Sequence, residues 1–246
     1  FVIYFAAWLA WAKSRVQDFK FGILPLGIML TVIAFILFNQ PDTKSFILIA
    51  IAGISMLFIS GVSMKYISLL GAGAIIVLSI LVFFTPYLQE RVKTFIDPSQ
   101  DPQGSSYQIQ QSLIAIGSGG ILGRGYGQSI QKFSYLPEPQ GDSIFAVLGE
   151  ELGFVGSVAI IVLYLLFVLR GLRIANNSPD LFSRLLVSGI VILVVAQSFM
   201  NIASVTGVFP LTGVPLVFMS HGGTSLMVYL MAIGLVFQIS KFQEKN

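Results

Sequence analysis

The chain has 246 residues, of which 55% are hydrophobic and only 10% are charged. Soluble domains carry roughly 25% charged residues, so this composition excludes an ordinary soluble domain and favours helices that lie in a bilayer. The net charge of +3 is spread over several loops, which argues against nucleic acid as a partner. With no cysteine and a single histidine, the chain offers no disulfide, no thiolate and no metal site built on histidines alone.

Seven apolar stretches predict an all-α fold, a polytopic membrane helical bundle of about six full spans plus a partial one. The stretches are residues 1–11, 21–38, 46–62, 66–84, 143–169, 182–200 and 214–237. The first stretch has no residues before it that resemble a signal peptide. We interpret the sequence as a fragment that starts partway through a spanning helix and lacks helices upstream.

A long polar loop, residues 85–142, separates the fourth stretch from the fifth, and both belong to one predicted membrane domain, residues 1–246. Nine of the 14 basic residues fall on the side of the 13–20 loop. Positive charge marks the cytoplasmic side of short loops, so the C-terminus is expected in the cytoplasm and the long loop outside it. Such a loop is functional or disordered, and its glycine-rich part, residues 112–127, favours a segment that lies at the interface or re-enters between helices.

Carboxylates gather at the start of the fifth stretch. Asp142 directly precedes it, where an acid either caps the helix or takes part in chemistry. Glu150 and Glu151 follow about two turns later, and intramembrane carboxylates cost roughly 2.5–3.5 kcal/mol each on insertion scales. Two explanations remain open for them, a buried pair satisfied by arginine or backbone donors and a direct role. Helical periodicity places Asp142, Gly149 and Glu150 on one broad face, which is predicted to pack closely and to point toward a polar cavity.

Two further residues are candidates for the same region. Asp42 follows a proline, which favours a turn-forming role over a role in a site. His221 lies in the segment 201–224, whose many glycines and prolines predict a broken helix of the kind that lines substrate sites. A structural hydrogen bond is nevertheless favoured for a lone histidine. Four basic residues of the long loop are candidates for a phosphate-bearing lipid, the alternative being solvated charge. They are Arg91, Lys93, Arg124 and Lys132.

Ordered sequence blocks resemble the SEDS family (shape, elongation, division, sporulation) of peptidoglycan glycosyltransferases, and its FtsW branch more than its RodA branch. The long blocks are YQIQQSLIAIGSGG at 107–120, GYGQSIQK at 125–132, YLPEP at 135–139 and DSIFAVLGEELGFVG at 142–156. Shorter matches are QPD at 40–42, NI at 201–202, PLTG at 210–213, and Ser220 with GG at 222–223. The chain departs from the family pattern at Gly141, Ser143, His221 and Thr224.

The resemblance implies a fold of ten spans, of which this chain contains part of the fourth and all of the later ones. It implies an enzyme that polymerises lipid II at the outer face of the bacterial cytoplasmic membrane during cell division. Asp142 then corresponds to the family's essential acid, as a general base or as the ligand of a Mg²⁺ or Mn²⁺ ion. The implied diphosphate or cavity residues are Arg91, Lys132, Arg124, Lys93, Glu138, Gln111 and Ser112, with Glu150, Glu151, Asp42 and His221 in support.

The implied partners are lipid II, undecaprenyl-diphosphate-linked glycan, membrane lipid, a class B penicillin-binding protein transpeptidase and other divisome membrane proteins, with no nucleic acid. Two alternatives remain. A lipid II flippase would suit the intramembrane acids and the broken helix, and a non-catalytic division scaffold would need no acid at all. A long outer loop that ends in an acid at the membrane surface favours chemistry on that face over transit, whereas a scaffold role is compatible with the enzyme.

Overall fold

The computed structural model describes residues 1–40, 42–97 and 105–242, and within them the regular elements are helices. In chain order they are α1 (Val2–Ala12), α2 (Ile23–Asn39), α3 (Thr43–Ile59), α4 (Met64–Phe84), α5 (Pro86–Ile96), α6 (Ser105–Ser118), α7 (Gln131–Ser134), α8 (Ile144–Asn176), α9 (Leu181–Val205) and α10 (Gly223–Ser240). A short 3-10 helix, Lys13–Gln17, follows α1. The predicted all-α membrane fold is confirmed.

Among the described residues, four helices are long and apolar enough to cross a membrane, namely α4, α8, α9 and α10. The helices α1 and α3 and residues Ile23–Ile36 of α2 are apolar but shorter. Two thirds of the apolar window of α9 is buried by protein, against 6% for α4 and α10. Exposed apolar surface of the extent found on α4 and α10 suits contact with lipid. The predicted number of full spans stays a prediction.

The seventh apolar stretch differs from its prediction. The helix α10 begins at Gly223, nine residues after the predicted start at residue 214. The chain between them is not helical, because Pro215 lacks an N–H donor and Gly213 has a positive φ of 62°. Leu216 is nevertheless only 1% exposed. The apolar residues here therefore indicate burial rather than a helix, and the predicted start of the span is wrong.

The described part of the long loop contains three helices, α5, α6 and α7. Pro86 occupies the first turn of α5, where its missing N–H costs nothing. Ile109 and Ala115 of α6 are buried at 3% and 0% exposure. Residues 98–104 of the predicted loop lie outside the described residues. The described loop residues have their own packed elements, which favours the functional interpretation of the loop over disorder.

The chain divides into two compact units. The first comprises Phe1–Leu78, Phe167–Ala196 and the described residues from Val228 onward. Its largest fully buried side chains include Phe5, Leu26 and Met56, and α3 packs against both α1 and α2. Asp42 caps α3 in this unit, since its carboxylate accepts hydrogen bonds from the Ser45 N–H at 3.3 Å and hydroxyl at 2.7 Å. Asp42 thus acts as the cap of α3, and its predicted support of the site stays a prediction.

The second unit comprises Ser79–Leu166 and Gln197–Met227. Its core is formed by Phe145 and Ala146 from the start of α8, Ile202 and Val205 from α9, and Leu216 from the segment after α9. Apart from Asp42, every candidate site residue predicted from the sequence lies in this unit.

Candidate active site

The helix α8 is interrupted at Gly153, whose φ of 67° and ψ of −163° are essentially restricted to glycine. The interruption leaves backbone groups on both sides without helical partners, and residues 120–125 of the long loop supply them. Before the interruption, the carbonyls of Glu150 and Glu151 accept hydrogen bonds from the N–H groups of Arg124 and Gly125, both at 3.0 Å. After it, the N–H groups of Phe154 and Val155 donate to the carbonyls of Gly120 and Ile121, at 2.9 and 3.1 Å. The loop is thereby inserted into the gap in the helix.

The loop and the helix approach each other backbone to backbone. A Cβ atom on Gly153 would collide with the backbone nitrogen of Gly123 and lie 2.6 Å from the carbonyl oxygen of Ile121. Gly123 itself has a φ of 81°. The close packing predicted for this face of α8 is present, but the partner at Gly153 is the backbone of a loop.

Glu150 and Glu151, here called the carboxylate pair, lie on the N-terminal side of the interruption and are 0% and 5% exposed. Glu150 accepts a hydrogen bond from the hydroxyl of Ser129 at 2.6 Å and lies 3.5 Å from Nε of Arg124. The backbone N–H groups of residues 130 and 131 also donate to it, at 3.1 and 3.2 Å. Two backbone N–H groups, of residues 127 and 129, donate to Glu151 at 2.9 and 3.4 Å, and Nζ of Lys132 lies at 2.5 Å.

The carboxylate pair thus matches the first of the two explanations, a buried pair satisfied by arginine, lysine and backbone donors.

The depth of the carboxylate pair in the membrane follows from the charges of α8. The uncharged run of this helix, residues 152–169, lies between Glu151 and Arg170. At 1.5 Å per residue this run is about 27 Å long, close to the hydrocarbon thickness of a bilayer. The pair therefore stands at the edge of the hydrocarbon layer, covered by the loop, rather than in its middle.

Removing one partner of the Lys132–Glu151 ion pair is expected to destabilise the protein. Breaking a buried pair costs roughly 3–5 kcal/mol, and the Lys132 side chain is 22% exposed, which lowers the expected loss. We expect Glu151→Gln and Lys132→Met each to lower the Tm measured in detergent, and the double variant to lose less than the sum of both. Lys65→Met, at an exposed position, is the control. Additive losses would contradict the coupling of this pair.

Asp142 lies directly before α8 and is half-buried. Its Oδ1 atom accepts a hydrogen bond from Nε2 of Gln108 in α6 at 3.1 Å, and the same nitrogen donates to the hydroxyl of Ser143 at 3.0 Å. The backbone carbonyl of Asp142 accepts from Nδ2 of Asn201 in α9 at 2.6 Å. Asn201 is fully buried. Gln108 therefore orients the carboxylate, while Asn201 fixes the backbone that carries it.

The turn before this acid is fixed as well. The hydroxyl of Ser220 donates to the carbonyl of Gly141 at 2.6 Å. The backbone N–H of His221 donates to the carbonyl of Gln140 at 2.7 Å, and the Gly141 N–H donates to the carbonyl of Glu138 at 3.0 Å. The side chains of His221 and Glu138 are exposed. The structure thus shows the backbone of both residues holding the turn, and their predicted side-chain roles stay predictions.

A cavity of about 640 Å³ lies beside this turn. Its lining residues are Tyr126, Gly127, Lys132, Phe133, Pro139, Gln140, Ile144, Val147, Leu148 and Glu151. Gln140 and Ile144 stand two residues before and two after Asp142, so the cavity adjoins the segment that carries the acid. Apolar walls with a few polar groups are typical of a pocket for an amphipathic ligand.

The four basic candidates fall into two groups. Arg124 and Lys132 are paired with the carboxylate pair. Arg91 stacks on the ring of Tyr87 at 4.5 Å and donates to a backbone carbonyl at 2.5 Å. Lys93 lies on the same helix, α5, and is exposed. Neither Arg91 nor Lys93 forms an ion pair within the part of the chain that the structure describes, so these two have more positive charge available to an anion.

Gln111 and Ser112 lie on α6. Ser112 is 0% exposed, and its hydroxyl donates to the carbonyl of Gln108 at 2.8 Å, so it contacts its own helix. Gln111 is half-buried. Their predicted roles as ligands of a substrate stay predictions.

The carboxylate of Asp142 is the predicted ligand of a divalent cation. The described residues contain no group of three or more His, Cys, Asp or Glu side chains that would hold a metal. Mg²⁺ commonly binds one or two carboxylates together with substrate phosphates and water, so the single carboxylate of Asp142 fits a shared ion better than a resident one.

Sequence analysis did not assign a role to Gln108, Asn201 or Ser220, although all three belong to the matching blocks. Gln108 and Ser112 are four residues apart, which in a helix places both on one face. Asn201 has a second buried hydrogen bond, from Nδ2 to the carbonyl of Val214 at 2.7 Å. A helix predicted at residues 105–118 would have placed Gln108 on the same face as Ser112, a predicted site residue. Nothing in the sequence indicates that Asn201 contacts the backbone of Asp142.

Comparison with known proteins gives the family. The family model described as cell cycle protein, FTSW_RODA_SPOVE, matches residues 1–245. Stage V sporulation protein E of Bacillus subtilis is 39% identical over 242 residues, which are 98% of this chain and 66% of that protein. A probable peptidoglycan glycosyltransferase FtsW of Geobacter sulfurreducens is 40% identical over 239 residues, 97% of this chain and 64% of that protein. The chain thus spans about two thirds of the length of these relatives.

Solved structures show the same fold. A chain from work on structural coordination of polymerization and crosslinking by a peptidoglycan synthase complex superposes with a TM-score of 0.77 at 26% identity, over 100% of this chain and 69% of that one. The rod shape determining protein RodA of Thermus thermophilus superposes with a TM-score of 0.65 at 23% identity, over 99% of this chain and 64% of that one. With a family model that covers nearly every residue, this chain belongs to the FtsW/RodA/SpoVE family of cell cycle proteins, the SEDS family.

Proposed function

We propose that the protein of which this chain is part is a peptidoglycan glycosyltransferase that polymerises lipid II during cell division. The observation that carries the proposal is the setting of Asp142, a half-buried carboxylate oriented by Gln108 and fixed through its backbone by Asn201. The chain on either side of it, at Gln140 and Ile144, lines a cavity of about 640 Å³. The relatives named as probable peptidoglycan glycosyltransferase FtsW, at about 40% identity, support the same activity.

The reaction joins two lipid-linked sugars. The hydroxyl oxygen of one sugar forms a bond to the anomeric carbon of the other, whose bond to the lipid diphosphate breaks with the electron pair leaving on the diphosphate. The hydroxyl proton moves to the carboxylate of Asp142, which acts as general base. The hydrogen bond from Gln108 to Oδ1 orients this carboxylate.

Charge on the departing diphosphate needs cationic groups. Arg91 and Lys93 on α5 are the proposed ligands, since Arg124 and Lys132 already neutralise the carboxylate pair. Asp142 would also serve as the protein ligand of a Mg²⁺ or Mn²⁺ ion, which when bound supplies further charge to the diphosphate.

The lysine and arginine bias of the short loops supports a cytoplasmic C-terminus and a position of Asp142 on the outer face of the bacterial inner membrane. In that position Asp142 meets lipid II after its transfer to the outer leaflet. A peptidoglycan synthase complex contains the neighbour with a TM-score of 0.77. We accordingly expect a class B penicillin-binding protein transpeptidase and other divisome membrane proteins as partners.

Reconstitution separates the three candidate functions. The purified protein is incubated with lipid II in detergent, and the products are separated by size; parallel samples in sealed vesicles report movement of lipid II between leaflets. We expect glycan polymer in detergent. Movement of lipid II without polymer would show a flippase, and a protein that gives neither product yet still binds its transpeptidase would be a scaffold.

A further inference from the structure

Residues 120–133 of the long loop, here called the tip, expose apolar side chains that nothing described in the chain covers. Ile121, Leu122, Tyr126 and Phe133 are 71%, 80%, 87% and 77% exposed. Apolar surface is more stable when it is removed from water, so a patch of this kind on a segment held by backbone hydrogen bonds indicates an interaction surface. We propose that the tip inserts into the phospholipid leaflet on the side of Asp142, at the boundary between head groups and acyl chains.

The depth of the tip follows from its attachment to α8. Its backbone is hydrogen-bonded to residues on both sides of the interruption at Gly153. The uncharged run of α8 begins at residue 152, which places this attachment where the hydrocarbon layer begins. Ile121 and Leu122 are therefore held at the height of the acyl chains nearest the head groups.

The tip also continues the lipid-facing surface of the helix. Phe154 and Val155 are the first residues of α8 after the interruption, and they are 67% and 54% exposed. Their N–H groups donate to the carbonyls of Gly120 and Ile121. The exposed apolar side chains of the tip and of α8 thus adjoin each other. Because the exposed apolar face of α8 suits contact with lipid, the adjoining apolar side chains of the tip suit contact with lipid as well.

The polar groups of the tip are compatible with this position. Irregular backbone at the edge of the hydrocarbon layer is tolerated where protein groups satisfy its hydrogen bonds. Here the backbone of α8 donates to and accepts from the backbone of the tip, and the carboxylate pair accepts from N–H groups of the tip. Tyr126 has the amphipathic ring of residues enriched at membrane interfaces. Lys132, with its Nζ atom 5.0 Å from the Phe133 ring centre, keeps its charge toward Glu151 rather than toward lipid.

The consequence concerns the cavity beside Asp142. Four of its lining residues, Tyr126, Gly127, Lys132 and Phe133, belong to the tip. With the tip in the leaflet, this wall of the cavity adjoins lipid, and a lipid-borne ligand reaches the cavity without leaving the membrane. The insertion itself does not depend on the proposed function, because it follows from the exposure of the tip, its attachment to α8 and the uncharged run of that helix.

The absence of cysteine allows a direct test. Single cysteines at Leu122→Cys and Phe133→Cys are labelled with an environment-sensitive fluorophore in the protein reconstituted into phosphatidylcholine and phosphatidylglycerol vesicles. Leu163→Cys, at an exposed position within the uncharged run of α8, is the lipid control, and Asn177→Cys, at an exposed position after α8, is the aqueous control. Quenching is measured with a nitroxide on the upper acyl chain of the lipid and, separately, with aqueous iodide.

We expect the shallow lipid nitroxide to reduce the fluorescence at Leu122 and Phe133, while iodide has little effect on either. Labels that behave like the one at Asn177, open to iodide and insensitive to the nitroxide, would overturn the proposal. Labels shielded from both quenchers would also overturn it, and would show that a protein surface covers the tip.

Discussion

Asp142→Asn is expected to lower the rate of glycan polymerisation from lipid II by roughly 10²- to 10⁴-fold, the usual contribution of a general base. Asparagine keeps the shape of the side chain, and its Oδ1 atom still accepts the hydrogen bond from Gln108. The backbone bond from Asn201 to the carbonyl of residue 142 is untouched. The variant should therefore fold and bind normally, so that kcat falls while the free energy of unfolding stays within about 1 kcal/mol of the wild-type value.

A second aspartate provides the matched control. Asp180 precedes α9, and its carboxylate accepts hydrogen bonds from the N–H of Ser183 at 2.9 Å and from its hydroxyl at 2.8 Å. The bond from the Ser183 backbone N–H is the main reason that the pKa of Asp180 lies below its ordinary value. Asparagine also accepts at this capping position, so Asp180→Asn should keep full activity. Equal loss in both variants, or no loss at Asp142→Asn, would remove the general-base role from Asp142.

Most helices were predictable because their apolar residues form long runs that end at charge, proline or glycine. The fifth stretch, for example, was predicted at 143–169, and α8 begins at Ile144. The start of α10 was not predictable in this way, because Val214 and Leu216 are apolar for another reason. They are 3% and 1% exposed within an irregular segment. Hydrophobicity reports burial, and a buried irregular segment is indistinguishable from a helix by that signal alone.

The candidate site was predictable only in part. The position of Asp142 before a helix followed from the sequence around it, whereas its orientation depends on Gln108, 34 residues earlier, and on Asn201, 59 residues later. The two open explanations for Glu150 and Glu151 could not be separated either, since their donors lie about 20 residues upstream in the loop. Local patterns identify a buried charge, but the partners that satisfy it are set by tertiary structure.

The largest expected effect on folding is that of Gly153→Ala. At a φ of 67° and a ψ of −163° any other residue is strained by about 1–3 kcal/mol. The added Cβ atom also collides with the backbone of Gly123, so relief of the clash must pull the loop out of the gap in α8. Each buried backbone group left without its partner then costs about 1–3 kcal/mol more.

We therefore expect Gly153→Ala to lower the Tm in detergent by roughly 10 °C or more, at about 2–4 °C for each kcal/mol in a protein of this size. Gly71→Ala and Gly234→Ala are the controls, because both glycines lie inside helices, α4 and α10, with open space where a Cβ would stand. Alanine favours a helix over glycine by about 1 kcal/mol, so these two variants should keep or raise the Tm. If Gly153→Ala instead matched them, the hydrogen bonds between the loop and the interrupted helix would contribute little to stability, and the cavity wall that they hold in place would need another explanation.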